Sequence, residues 1–163
     1  MSAFHIAQLN IGRIRGPIDS PIMAEFVALL DPVNAVADAS PGFVWRLQTE
    51  EGNATAVRPY EDESIAVNMS VWESIDDLAA FVYRGGHVDV MRRRREWFER
   101  MQVFMVLWWV PAGELPTVAE AQERLEHLGV HGPTPYAFTF KARFPSPDVD
   151  AEVEIDDELG CPA

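Results

Sequence analysis

Hydrophobic and polar residues alternate in several segments of the chain, with the period of two that half-buried β-strands show. A further short segment near the end of the folded part has the same character. The predicted strands are Phe4 to Ile14, Phe43 to Thr49, Ile65 to Trp72 and Val103 to Val110, with a short extra strand from Tyr136 to Phe144.

The segments between these strands carry helix start and stop signals. Ser20, Ser74 and Thr117 are typical N-cap residues, and Gly85-Gly86 interrupts the second helical region. Asp31-Pro32 is expected to kink or split the first helix, because proline lacks the amide hydrogen. The predicted helices are Ser20 to about Ala37, Ser74 to Tyr83, Val88 to Met101 and Thr117 to about Gly129.

The resulting order of elements is β-α-β-β-α-β, followed by a helix. This order predicts an α+β fold of the ferredoxin-like, split βαβ type, with one antiparallel sheet and helices on one of its faces. The other face then needs a cover, and a second copy of the chain is the expected one. We therefore predict a homodimer.

The two central strands of this fold each present one apolar and one polar face. The aliphatic face is expected to lie under the helices. The opposite, carboxamide face is either a self-satisfied polar core or a pocket with groups that orient a ligand. Trp72 and Trp45 are predicted to wall such a pocket. The aliphatic face comprises Ala7, Leu9, Ile11, Ile65, Val67, Met69 and Val71, and the carboxamide face comprises Gln8, Asn10, Asn68 and Ser70.

The helix predicted after Gly85-Gly86 places two polar residues, His87 and Arg94, within its apolar face, beside Trp97. His87 is either a satisfied core residue, or a proton carrier or haem or metal ligand at the pocket. Arg94 either reaches solvent or a buried carboxylate, or binds an anionic group of a substrate. Trp97 is predicted to be a third wall of the pocket.

The charge, cysteine and histidine content of the chain limit the kinds of molecule and metal that it is expected to bind. The chain has 163 residues, with 13 Lys and Arg against 26 Asp and Glu, and a net charge of −13. Such an acidic protein is repelled by nucleic acid and by anionic membranes. One cysteine, Cys161, excludes an intrachain disulfide and a cysteine-based zinc site, and the four scattered histidines predict no metal site.

The patterns at the two ends of the chain and its longest apolar run predict the localisation and the domain boundaries. The N-terminus lacks the pattern of a secretory signal, and the longest apolar run, Val103 to Pro111, is too short for a membrane helix. A small-molecule ligand in a cytoplasmic protein is therefore expected. Residues 1–147 are predicted to form one domain, and residues 148–163 a flexible acidic tail.

Several motifs resemble a known superfamily, the dimeric α/β barrels that include antibiotic-biosynthesis-monooxygenase-like and haem-degrading proteins. More closely, residues 4 to about 145 are similar to an uncharacterised bacterial family within it, the domain-of-unknown-function family 3291. The motifs are Asn68-x-Ser-x-Trp72-Glu-Ser-x-x-x-Leu-x-x-Phe81 followed by His87, Ala7-Gln-Leu-Asn10, Asp31-Pro-Val-Asn34, Ser40-Pro-Gly-Phe-Val-Trp-Arg-Leu47, the Arg-Arg-Arg-Arg-Glu-Trp-Phe block and Leu107-Trp-Trp-Val-Pro-Ala-Gly113.

The resemblance implies a dimeric α/β barrel with one pocket per chain, served by Asn10, Trp72 and His87. We accordingly expect a monooxygenase-like enzyme acting on an aromatic or polyketide-like substrate. Asn10 and Asn68 would orient an enol or carbonyl oxygen, and His87 would move a proton. Gln8, Arg94 and the tryptophans would bind the substrate. The alternatives are a haem or hydrophobic-ligand binder with His87 as axial ligand, and a non-catalytic dimeric module, so the cofactor is either none or haem.

Overall fold

The structure is a computed structural model of the chain, and it describes residues 3–50, 52–55, 57–84 and 92–148. Its strands are β1 (Phe4–Ile14), β2 (Phe43–Arg46), β3 (Ile65–Trp72), β4 (Phe98–Glu99) and β5 (Met105–Pro111). Its helices are a 3₁₀ turn (Pro21–Met23), α1 (Ala24–Asp38), α2 (Ile75–Tyr83), α3 (Arg94–Trp97) and α4 (Val118–His131).

The sheet is antiparallel and has β3 and β1 at its centre. β2 pairs with β3 on one side, and both β5 and the short β4 pair with the other edge of β1. β1 and β3 are paired from Ile6 opposite Trp72 to Arg13 opposite Ile65. This arrangement confirms the predicted α+β, ferredoxin-like fold.

The local signals at two helix starts are confirmed. The Ser74 hydroxyl accepts a hydrogen bond from the Asp77 amide at 3.0 Å, and Thr117 caps α4 in the same way through the Glu120 amide. α1, by contrast, runs through Pro32 without a break, so the predicted split is wrong. Pro32 is exposed, so the carbonyl that loses its intrahelical partner lies near water.

Two predicted element bounds are also corrected. The helix expected to reach Met101 ends at Trp97, because Phe98 and Glu99 pair with Ile14 and Arg13 of β1. The start of that helix, with His87, lies outside the described residues. In place of the extra strand from Tyr136 there are isolated bridges, the main one joining Phe138 to Leu107.

The helices do not all lie on one face of the sheet, and the prediction that α1 and α2 cover the aliphatic face is wrong. α2 packs Leu78 against Ile6 and Trp72, which lie on the side of the carboxamide face. α4 instead covers the aliphatic face with Ala121, Leu125 and Leu128. The reason is that α4 is amphipathic and follows the last strand, so it is free to close the remaining apolar side.

A second copy of the chain is therefore not needed to cover the second face of the sheet, because α4 of the same chain covers it. The homodimer stays a prediction, to be tested by sedimentation equilibrium. Among the residues described, none of the helices combines the length and the apolar character that crossing a bilayer requires.

Replacing Gly42 with alanine is expected to destabilise the fold by about 2 kcal/mol. Gly42 has φ +80°, and a Cβ there would clash with the Asp77 carboxylate at the start of α2. Gly52 is the matched control, since it has φ +84° but nothing within 4 Å of an added Cβ. Urea unfolding of both variants measures the difference, and equal losses would show that the contact with Asp77 carries no cost.

Candidate functional site

A cavity of about 200 Å³ lies between the carboxamide face of the sheet and helices α1 and α2. Its floor is formed by the four residues of the carboxamide face together with Gly12 and Ala66. The walls are mainly apolar and aromatic. They include Phe26, Leu29, Leu30 and Val33 from α1, Leu78 and Phe81 from α2, and Trp97, Phe98, Phe104 and Phe140.

Strand register brings the polar floor together. Gln8 pairs directly with Ser70, and Asn10 pairs with Asn68, so all four side chains point to the same side of the two central strands. Gln8 and Ser70 are only 5% and 7% exposed. The alternation of the sequence predicted this set, and its members meet as expected.

A chain of hydrogen bonds links these side chains. Gln8 Nε2 donates to Asn68 Oδ1 and to Ser70 Oγ, both at 2.8 Å, and Asn10 Nδ2 donates to Gln8 Oε1 at 3.4 Å. These bonds occupy acceptor atoms of Asn68, Ser70 and Gln8. The Nδ2 group of Asn68 and the hydroxyl hydrogen of Ser70 have no partner among the described residues, so the floor offers donors to a ligand.

Trp72 anchors this network from the next position on the same face of β3 and does not line the cavity. Its indole Nε1 donates to Ser70 Oγ at 2.9 Å, and its side chain is fully buried. Its ring stacks on Phe81, with centroids 5.2 Å apart, and Phe81 does line the cavity. Trp72 is therefore not the wall that the sequence predicted: it lies next to Ser70 on the same face of β3, beside the cavity and packed against α2.

Trp45 also lies elsewhere, because β2 contains a bulge between Phe43 and Trp45. Phe43 pairs with Trp72, yet Trp45 pairs with Val71, which places Trp45 on the aliphatic face. Arg46 consequently pairs with Ser70 and lines the cavity in its place. Arg46 is not among the predicted site residues, since nothing in the alternation of β2 marks the bulge.

Arg46 is held by neighbouring acceptors. Its Nε donates to Asp38 Oδ1 at 2.8 Å, and its NH1 donates to the carbonyl of Gly52 at 2.7 Å. The charge of Arg46 is thus balanced by the carboxylate at the end of α1. This ion pair also ties α1 to the edge of the sheet.

Arg94 and Trp97, both predicted from the helical projection, do line the cavity. Trp97 is 2% exposed and packs against Phe26 with ring centroids 5.7 Å apart. The Arg94 guanidinium lies 4.4 Å from the centroid of Phe104. Burial lowers the pKa of Arg94, and the charge of Arg95 adds to this effect.

His87 lies outside the described residues, so its roles as proton carrier and as haem ligand stay predictions. Of the described histidines His5, His127 and His131, none lines the cavity. No cluster of three or more His, Cys, Asp or Glu side chains suited to a metal ion occurs in the described ranges. The cavity's own donors are consequently carboxamide, hydroxyl and guanidinium groups.

Comparison with known proteins gives one family match. A family model described as "Domain of unknown function (DUF3291)" matches residues 5–154. No curated protein sequence matches the chain.

Several solved structures share part of the fold. SnoaB, a cofactor-independent oxygenase from Streptomyces nogalater, is 19% identical over 71% of this chain and 100% of its own, with a TM-score of 0.46. A point mutant of SnoaB is 16% identical over 70% and 97% of the two chains, with a TM-score of 0.44. The NE2512 protein of unknown function from Nitrosomonas europaea is 14% identical over 71% and 97%, with a TM-score of 0.43. At these levels no activity is transferred to this chain.

Proposed function

The chain belongs to the DUF3291 family of domains of unknown function, and we propose that it is a small-molecule enzyme of the monooxygenase type whose active site is the cavity on the carboxamide face. The proposed substrate is an aromatic or polyketide-like molecule with an enolisable carbonyl. One observation carries this proposal. The floor of a cavity with mainly apolar and aromatic walls presents two hydrogen-bond donors, on Asn68 and Ser70, and the acceptor atoms of these two side chains are already used within the network.

Donors of this kind favour an oxyanion over a neutral carbonyl. A substrate oxygen placed on the floor would accept hydrogen bonds from Asn68 Nδ2 and from the Ser70 hydroxyl. Because the anion gains more from these bonds than the ketone does, they lower the pKa of the adjacent C–H group. The buried Gln8 holds both donors in place through its two 2.8 Å bonds.

The enolate formed in this way is electron-rich and reacts with dioxygen, the proposed co-substrate. An anthrone illustrates the balance. Its enolate carbon forms a C–O bond with O₂, and the resulting peroxide anion takes up the proton that was removed from the C–H group. The hydroperoxide then loses water to give the quinone. One oxygen atom enters the product and the other leaves as water, so the substrate supplies all the electrons. His87 is the proposed acceptor of the C–H proton, as the sequence analysis predicts.

The experiment is aerobic oxidation of anthrone by the purified protein, followed by quinone absorbance and by oxygen uptake. We expect a rate well above that of heat-denatured protein, one O₂ consumed per anthrone, and one labelled oxygen in the quinone under ¹⁸O₂. The quinone rate must also saturate with anthrone, as a binding site requires. A rate equal to that of the heat-denatured control would contradict the proposal.

A further inference from the structure

The charge inside the cavity is opposite to the charge of the whole chain. The protein carries a net charge of −13. The described residues that line the cavity nevertheless include three arginines, Arg46, Arg58 and Arg94, and no aspartate or glutamate. This contrast indicates a site that selects anions and excludes the carboxylates of the protein itself.

The three arginines differ in how their charge is balanced. Arg46 is paired with Asp38, as described above. Arg58 donates to the carbonyl of Val57 at 2.9 Å. Among the described residues, Arg94 has neither a carboxylate within 4.0 Å nor a hydrogen-bond acceptor for its side chain, although that side chain is half-buried. Its Cζ atom lies over the face of Phe104, 4.4 Å from the ring centroid, in a cation–π contact.

A half-buried guanidinium that has no acceptor among the described residues is costly to bury, and an anionic ligand removes that cost. We propose that the substrate of this cavity carries a carboxylate, separate from its enolisable carbonyl, and that Arg94 binds it. This inference rests on the proposed function, because the same substrate molecule is taken to bear the carboxylate and the enolisable carbonyl. The N–H edge of Arg94 offers the two parallel donors that a carboxylate accepts.

The surroundings of Arg94 favour an aromatic carboxylate over an inorganic anion. The guanidinium lies over the ring of Phe104, and two further aromatic lining residues, Trp97 and Phe98, follow Arg94 on the same segment. Phosphate or sulfate needs donors on several sides to replace its hydration, whereas a carboxylate needs one edge and leaves its ring to apolar contacts. The ligand is therefore expected to place its ring on the apolar walls.

The test is a pair of probes that differ only in charge, anthracene-2-carboxylate and anthracene-2-carboxamide. Their binding to the full chain at neutral pH is followed by anthracene fluorescence, and phosphate and benzoate are added as competitors. We expect the carboxylate to bind at least about tenfold more tightly than the carboxamide. We expect phosphate to compete far more weakly than benzoate.

Four substitutions test whether Arg94 is the source of the preference for the carboxylate. Arg94→Gln is expected to weaken carboxylate binding by about 10- to 100-fold and to leave carboxamide binding nearly unchanged. Arg94→Lys keeps the charge and should restore part of the preference. Arg95→Gln is the matched control, because it makes the same change of net charge on an exposed side chain of the same helical turn. Arg58→Gln should have a smaller effect than Arg94→Gln.

The outcomes are decisive even if a variant fails to fold, because the wild-type preference alone tests the charge of the ligand. Equal binding of the two anthracenes would overturn the proposal, and so would loss of the preference in Arg58→Gln but not in Arg94→Gln. Displacement by phosphate as effective as by benzoate would show an inorganic anion site instead. Carboxylate selectivity without anthrone oxidation would refute only the proposed oxidation. Oxidation without selectivity would refute only this inference.

Discussion

Replacing Asn68 with alanine is expected to lower the rate of anthrone oxidation by about 10²- to 10³-fold, the usual effect of removing one donor to an oxyanion. Asn68 contributes an Nδ2 group that no described residue uses, while its Oδ1 accepts from Gln8 at 2.8 Å. Because the lost bond is stronger in the enolate than in the ketone, the effect should appear mainly in kcat. Stopped-flow quinone absorbance measures it.

Two comparisons make this result specific. Asn68→Asp keeps the shape but replaces the donor with a negative charge, so its rate should be at least as low as that of Asn68→Ala. Gln48→Ala removes an exposed carboxamide that does not line the cavity, and its rate should equal that of the wild type. Urea unfolding checks that the variants fold, since the exposed Asn68 contributes little to the core. A kcat unchanged in Asn68→Ala would remove this residue from the chemistry.

Replacing Trp72 with alanine is expected to cost about 3–5 kcal/mol of unfolding free energy, a large part of the stability of a typical domain. Trp72 is fully buried and packs between Phe81 and Phe43, with ring centroids at 5.2 and 5.4 Å. No neighbour can fill the space of an indole, so a cavity remains. Urea unfolding followed by far-UV circular dichroism measures the loss.

A pair of variants separates the contribution of the hydrogen bond from Trp72 to Ser70 from the contribution of packing. Trp108 is also fully buried, but its indole Nε1 has no partner among the described residues. Trp72→Phe should therefore destabilise the protein by about 1 kcal/mol more than Trp108→Phe, since only the first breaks a bond. Equal losses in the two variants would mean that the bond to Ser70 contributes nothing. Trp72→Phe should also slow anthrone oxidation, because Ser70 loses one of its two anchors.

Much of the candidate site could be predicted because it depends on local periodicity. The bounds of β1 and β3 agree with the alternation of the sequence, and the cross-strand pair of Asn10 and Asn68 follows from the fold class. The caps at Ser74 and Thr117 depend on one side chain and the amide three residues later. Strand alternation and helix caps depend only on residues that are close in sequence, so they can be predicted without the tertiary structure.

Other features depend on contacts between distant segments. Alternation shows that a strand has two different faces, but it does not show which helix packs on which face. The crossover connections place α1 and α2 over the carboxamide face, and α4 closes the aliphatic face because it alone follows the sheet with a free apolar side.

Local sequence was thus sufficient for the fold class, the central strands, the carboxamide and hydroxyl groups of the floor, and one of the guanidinium groups, that of Arg94. Long-range pairing was needed to place Trp45 outside the cavity and Arg46 within it, since one bulged residue in β2 reverses the direction of every side chain after it. The tertiary structure also determined the positive charge of the cavity. The cationic character of the cavity in an acidic protein arises because residues far apart in the chain, Arg46, Arg58 and Arg94, converge without a carboxylate among the described lining.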